Sequence, residues 1–405
     1  MKIIRPLRTF RLLPFAVIIL LTCSCSDTPV REREFELFRE QDVLVNVPGR
    51  RPMILRTERP LNLETPMQYY LEDFTPNDVF FVRWHLSELP EAVDKDTFRL
   101  RIHGHVDRPL ALSLEELKTK FPSAATNALV ICAGNSRQQF KPGVPGVPWK
   151  NGAMGNARWK GVPLRNLLDA AGVKSGAIEV AFNGLDRPPL ESTPDFIKTL
   201  PLERAMDGEV MVAYEMNGEE LPLLNGYPLK LVVPGWYATY WVGMLSEIKV
   251  YADTFKGFWM AKAYRVPKGI DNGNETPDSL AAVTEPIRRI AVRSVFVSPT
   301  ADSTLYVGHS SEIQGLAFDG GSGIATVEIS LDSGMTWQKT TLDPSLGNYS
   351  WRRWRYRWTP DAAGTHHLAV RATSNDGQQQ PPAQWNRSGY MKNEWERLKV
   401  FVAEQ

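Results

Sequence analysis

The sequence predicts an α+β protein, with a mixed body over residues 61–275 and an immunoglobulin-like β-sandwich over 285–405. Three observations carry that expectation. Few stretches show helical periodicity, and many alternate at period two. After about residue 285 the composition shifts to short alternating strands separated by Asp-, Asn- and Gly-rich turns.

Phe98–Gly104 alternates and reads as a half-buried strand, and 78–85 reads as a strand feeding a loop. Ser113 is placed to cap a short helix beginning at Leu114. Ala128-Leu129-Val130-Ile131-Cys132 is an unbroken apolar strand, followed by the turn Ala133-Gly134-Asn135. A second helix runs from Pro163 to Ala171 and closes on Gly172. Further strands fall at 178–182 and 229–233. The sandwich strands are 292–297, 325–331 and 367–372, with turns at Asp319-Gly320-Gly321, Asp332-Ser333-Gly334, 361–364 and Asn375-Asp376-Gly377. A linker rich in Gly, Asn, Pro and Asp spans Gly269–Thr284.

The chain opens with four basic residues, Lys2, Arg5, Arg8 and Arg11, then the apolar run Leu12–Leu21. That run is too short for a bilayer, which needs about 20 apolar residues. Residues 1–25 therefore read as an export signal, giving a periplasmic protein. Cys23 or Cys25 could carry a lipid anchor; a plain cleaved signal fits equally. Residues 26–60 are polar and proline-dotted and read as a tether and irregular lead-in. Without the leader's four cations, 43 basic residues face 46 acidic ones, which argues against nucleic acid as a partner. No Gly-x-Gly-x-x-Gly, P-loop, Cys-x-x-Cys-His or His-Glu-x-x-His motif occurs.

Only three cysteines exist, and two belong to the leader. Cys132 is thus the lone cysteine of the body, at a strand end where folds tend to place chemistry. Arg137, Arg83 and His85 are candidate cationic neighbours for its thiolate. On composition alone a buried, inert strand cysteine is the stronger reading.

Longer words shift that balance. Phe81-Val82-Arg83-Trp84-His85, Cys132-Ala133-Gly134-Asn135-Ser136-Arg137, Trp149, 152–162, 213–218, 225–230 and 232–237 occur in an order that resembles the sulfite oxidase family. Residues 258–265 are most similar to bacterial periplasmic sulfite dehydrogenases, and 285–405 resembles the family's dimerisation domain, which implies a homodimer.

The resemblance implies a sulfite-oxidase-type domain holding molybdenum through molybdopterin, with Cys132 as the metal's protein ligand. Thiolate sulfur suits such a site. Arg83 and Arg137 match the oxyanion pocket, Tyr264 the tyrosine beside the metal, His85 a histidine of the pterin and substrate channel, and Trp149 a pocket wall. Phe81, Val82, Trp84, Asp186, Trp241 and Val242 fall at matched cofactor positions. Asn225, Lys230 and Gly243 stand where the vertebrate branch has histidine, arginine and lysine.

Arg352, Arg353, Arg355 and Arg357 read as the outer face of a strand rather than as a third pocket arginine. His103, His105, His309, His366 and His367 read as surface or structural residues. The implied reaction is oxidation of sulfite to sulfate, with electrons leaving to a c-type cytochrome. The rivals are nitrate or a sulfoxide as substrate, and, in another class, a cofactor-free surface lipoprotein that binds partners.

Overall fold

The computed structural model describes residues 42–268, 275–301 and 303–404; the leader and both of its cysteines lie outside the described residues. Among the described residues no helix is long and apolar enough to cross a membrane. Sheets are mixed and helices few. The two longest α-helices are Leu114–Lys120 and Leu164–Ala171. Ser113 caps the first: Glu116 N–H donates to its hydroxyl at 3.1 Å, and the Glu116 carboxylate accepts the Ser113 N–H. The second ends at Gly172, whose φ of 69° lets its N–H turn back to Leu168 O.

The chain enters through a four-stranded antiparallel sheet of Val43–Val45, Met53–Thr57, Asn62–Glu64 and Val82–Arg83. The expectation of an irregular lead-in through residue 60 is corrected from Val43 onward. Val45, Met53 and Leu63 bury against Val82, Trp84 and Met244, and that burial holds three- and five-residue strands in place. The expected strand over 78–85 shrinks to Val82–Arg83. Asn77–Val79 is a 3-10 turn after Pro76, and Phe80, Phe81 and Val82 are all buried rather than alternating.

A five-stranded sheet follows, in order Lys198–Pro201, Glu179–Asn183, Glu247–Tyr251, Leu100–Gly104, Leu110–Leu112. Only its Leu100–Gly104 and Glu247–Tyr251 pair is parallel. A third sheet pairs Ala124–Ile131 with Met154–Pro163 and continues to Met211–Met216 and Lys230–Val232.

The trailing unit is a sandwich of two sheets around Ile313, Trp354, Leu368 and Val400. Its other apolar side joins the core of the first body. Val295, Leu316, Phe318 and Trp351 share one buried cluster with Trp159 and Cys132. Leu129 N–H donates across the junction to Tyr349 O at 2.8 Å. Arg352 and Arg355 bind Asp343, and Arg353 bridges Asp343 and Asp73, while Trp351, Trp354 and Trp358 point inward.

The described part of the expected linker is pinned. Buried Glu275 holds Arg387, and Thr284–Pro286 pairs with Arg265–Pro267.

Candidate active site

Cys132 lies one residue past the strand Ala124–Ile131, where the ladder ends. Its N–H donates to Ala153 O at 2.9 Å, and its carbonyl accepts the Asn135 N–H at 2.9 Å, so the chain turns at once. Asn135 Oδ1 fixes the turn by accepting the Ala153 N–H. Six non-glycine residues among those described have positive φ, and four lie around this point. Ser136 follows the cysteine turn, Met244 follows Gly243, Met391 lies against Ala133, and Tyr264 itself has φ 54°. Such conformations cost of order 1–3 kcal/mol each and gather at functional sites.

A cleft opens onto Cys132. Of the residues expected at the site, Phe81, Arg83, Trp84, His85, Cys132, Asp186, Asn225, Lys230, Trp241, Val242, Gly243 and Tyr264 line it. Three do not. Val82 faces the core of the entry sheet, and Trp149 is fully buried beneath the cysteine turn, so neither forms a wall. Arg137 is buried beside the cleft, with its guanidinium 4.9 Å from the centre of the Tyr390 ring. Trp149 and Arg137 fail as walls because their segment folds back under the cysteine: Ser136 N–H donates to Lys150 O and Gln138 N–H to Trp149 O.

Other lining residues carried no sequence signal. Phe196 stacks on the His85 ring at 3.6 Å, and Thr239 lines the cleft with a buried hydroxyl that has no partner among the described residues. Lys198 stands behind Tyr264, its amine 5.1 Å from that ring. Arg50, from the entry sheet, donates to Phe80 O at 2.9 Å and to Asn225 Oδ1. The Asn225 amide also donates from its Nδ2 to Phe81 O at 3.0 Å.

The electrostatics are those of an anion site. Arg83 donates to the Tyr264 hydroxyl at 3.3 Å and to Asn62 Oδ1 at 3.2 Å. His85 Nε2 meets the same hydroxyl. Burial, then Arg83 and Lys198, hold the imidazole well below its usual range, so it is neutral. Burial lowers Lys230 to about 8 and Lys198 to about 7. Arg83, Arg137, Lys198 and Lys230 have no carboxylate partner among the described residues. The cleft's own carboxyl, Asp186, is pushed up to about 7 by burial and by Asp195, and so offers only partial compensation.

Buried cations in and beside a cleft without counter-ions are costly unless an anion joins them. One thiol lining the cleft, several unpaired cations and an unpartnered hydroxyl therefore fit a guest bearing an anionic tail and a thiophilic metal.

Comparison with known proteins agrees. Residues 86–259 match an oxidoreductase molybdopterin-binding domain, and 284–403 match a Mo-co oxidoreductase dimerisation domain. Mitochondrial sulfite oxidase of Macaca fascicularis is 34% identical over 89% of this chain and 68% of the relative. The chain belongs to the sulfite oxidase family. The Gallus gallus sulfite oxidase is 33% identical over 88% of this chain and 80% of its own length. The solved sulfane dehydrogenase SoxCD of Paracoccus pantotrophus superposes over 94% of this chain and 93% of its own, with a TM-score of 0.73 and 25% identity. As a member of the family, the chain is a sulfite oxidase-like enzyme with a molybdenum–molybdopterin cofactor.

Proposed function

We propose that the chain oxidises sulfite to sulfate in the periplasm as a homodimer, with Cys132 as the molybdenum's thiolate ligand and a c-type cytochrome as electron acceptor. The observation that carries this is the position of Cys132: a lone thiol at the floor of a cleft whose nearby cations, Arg83, Lys198 and Lys230, lack ion-pair partners. The cofactor, when bound, supplies the two-electron redox chemistry. The protein binds and orients the oxyanion. Sulfite and one water become sulfate, two protons and two electrons.

Arg83 offers planar donors to sulfite oxygens. The Tyr264 hydroxyl, held by Arg83 and His85, is fixed as a neutral donor, because burial raises its pKa far above neutrality. Neutral His85 holds the Tyr264 hydroxyl in place. Lys230 and Thr239 suit the cofactor's anionic end. The dimerisation-domain match supports the homodimer. The leader supports export, with lipid on Cys23 or Cys25 as its anchored form.

The test is purification from a molybdenum-competent host, metal and pterin analysis, and turnover with sulfite using ferricyanide or cytochrome c. Protein carrying molybdenum that turns over nitrate or a sulfoxide but not sulfite would overturn the substrate. Protein without molybdenum or pterin would leave a binding lipoprotein.

A further inference from the structure

Arg137 and Tyr264 both pack against one ring that neither the strand pattern nor the family words singled out. Tyr390 belongs to the trailing sandwich, on the loop Ser388–Met391. Its ring stacks on Tyr264 with centroids 5.2 Å apart and planes within 19°. Arg137 stands 4.9 Å from the same centroid. The phenol is also close enough to Cys132 and Arg83 to feel both charges. Tyr264 lines the cleft and Arg137 does not, so Tyr390 is the physical link between them.

The loop is built to hold that ring. Met391 N–H crosses the domain junction to Ala133 O, the residue after Cys132, at 2.8 Å. Asn386 grips Tyr390 at both backbone groups, accepting its N–H at 3.2 Å and donating to its carbonyl at 2.9 Å. Gln384 Nε2 donates to Met391 O at 2.9 Å, and Arg387 is tied to buried Glu275. Arg137 is slotted against three glycines: a Cβ on Gly134, Gly146 or Gly389 would fall within 3.0 Å of its side chain. Even so, its guanidinium has two weak carbonyl partners, Val147 O at 3.2 Å and Ser388 O at 3.5 Å, with the Tyr390 hydroxyl also within hydrogen-bonding reach, and its Nε has no partner among the described residues. A buried guanidinium so loosely held needs its aromatic neighbour to fix its place.

We propose that Tyr390 is a positioning residue of the oxyanion pocket, whose ring fixes the Arg137 charge and the Tyr264 phenol relative to each other and to Cys132. The inference rests on the sulfite-oxidising reading of the site. It makes the sandwich a contributor of a site residue as well as a dimerisation unit.

The probe is sulfate, an unreactive tetrahedral anion, titrated into purified holoenzyme by calorimetry, with sulfite KM and kcat measured in parallel. Losing a stacked ring and a cation–π contact is worth ~1–2 kcal/mol together, or about tenfold in affinity. Tyr390→Leu is expected to raise the sulfate Kd and sulfite KM about tenfold. Tyr390→Phe, which keeps the ring, should stay within about twofold. In an Arg137→Gln background Tyr390→Leu should add little, because both act through one charge.

Unchanged sulfate affinity in Tyr390→Leu, or full additivity in the double variant, overturns the proposal. Should Tyr390→Leu melt early, Tyr390→Phe and Arg137→Gln still decide: a Phe variant as weak as Arg137→Gln puts the effect in the hydroxyl and sinks the ring. If Arg137→Gln itself leaves sulfate binding unchanged, the oxyanion reading of the site fails, a different outcome from failure of Tyr390 alone.

Discussion

Replacing Lys198 by methionine should make the fold more stable and the enzyme less active. Lys198 is 1% exposed, and its amine donates to Trp259 O at 2.7 Å. It lies 4.7 Å from the Tyr240 ring and 5.1 Å from the Tyr264 ring. Burial alone takes its pKa from 10.5 to about 7. That gap of about 3.5 units, at ~1.36 kcal/mol per unit, sets a folding penalty of ~4–5 kcal/mol at pH 7. Methionine removes the penalty but forfeits a charged hydrogen bond worth ~1.5–3 kcal/mol, leaving a gain of ~1–3.5 kcal/mol.

The folded pKa lies below the unfolded one. Up to pH 7 both states hold the proton and the penalty is complete. From pH 7 to 10.5 the unfolded chain holds more protons, so wild-type stability climbs and the methionine advantage shrinks. Urea unfolding of the holoenzyme, followed by tryptophan fluorescence at pH 6, 8.5 and 10.5, reads this directly. Activity should fall because the charge beside Tyr264 that helps keep His85 neutral is gone. A stability gap that is flat across that range, or that favours wild type at pH 6, would refute the reasoning.

Cys132→Ser should yield folded protein lacking bound molybdenum and sulfite turnover; normal metal content by elemental analysis would count against the ligand. Arg137→Gln should raise the sulfite KM by ~1.5–3 kcal/mol equivalent with a smaller change in kcat, read by steady-state kinetics. Glu396→Ala should destabilise by ~3–5 kcal/mol. It strands buried Arg293, whose Nη2 bonds Glu396 at 3.0 Å, and it frees Asn151 Nδ2, which donates to the same carboxylate at 2.7 Å. Denaturant midpoints check this, and a change below ~1 kcal/mol contradicts it.

Local signals were legible where one segment decides its own structure. Ser113 and Glu116 form the capping box that their spacing allows, and Gly172 ends its helix in the left-handed conformation. The apolar run is a strand through Ile131 because both its faces are buried, with Cys132 one residue past its end. The entry sheet was not legible, since three-residue strands such as Val43–Val45 and Asn62–Glu64 are too short to show alternation. They exist because Trp84 and Met244, far along the chain, cover them. The same limit applies at the site. Residues inside long contiguous words were findable, whereas Lys198 and Tyr390 reach Tyr264 only through tertiary packing. Trp149 and Arg137 sit in recognisable words, yet the fold tucks their segment under the cysteine, so Trp149 is buried and Arg137 stands beside the cleft rather than in its wall.

The two departures at Asn225 and Gly243 have a common physical reason. Gly226 runs so close that a Cβ at 243 would lie 3.1 Å from its Cα and 3.2 Å from the Trp84 ring. A side chain at 243 would therefore require Gly226 or Trp84 to give way by a few tenths of an ångström. At 225 the short amide leaves space that a guanidinium from the entry sheet fills: Arg50 binds Asn225 Oδ1 from one side, and Lys230 binds Asn225 O at 3.2 Å from the other. Neither cation is cheaply held, for burial lowers Arg50 to about 10 and Lys230 to about 8. Asp78, the acid nearest Arg50 in effect, is already clasped by Arg51 through two bonds of 2.7 Å. Positive charge beside Asn225 is thus supplied by residues from two distant stretches of chain, organised around an uncharged amide, and this grouping is set by tertiary packing rather than by any contiguous stretch of sequence.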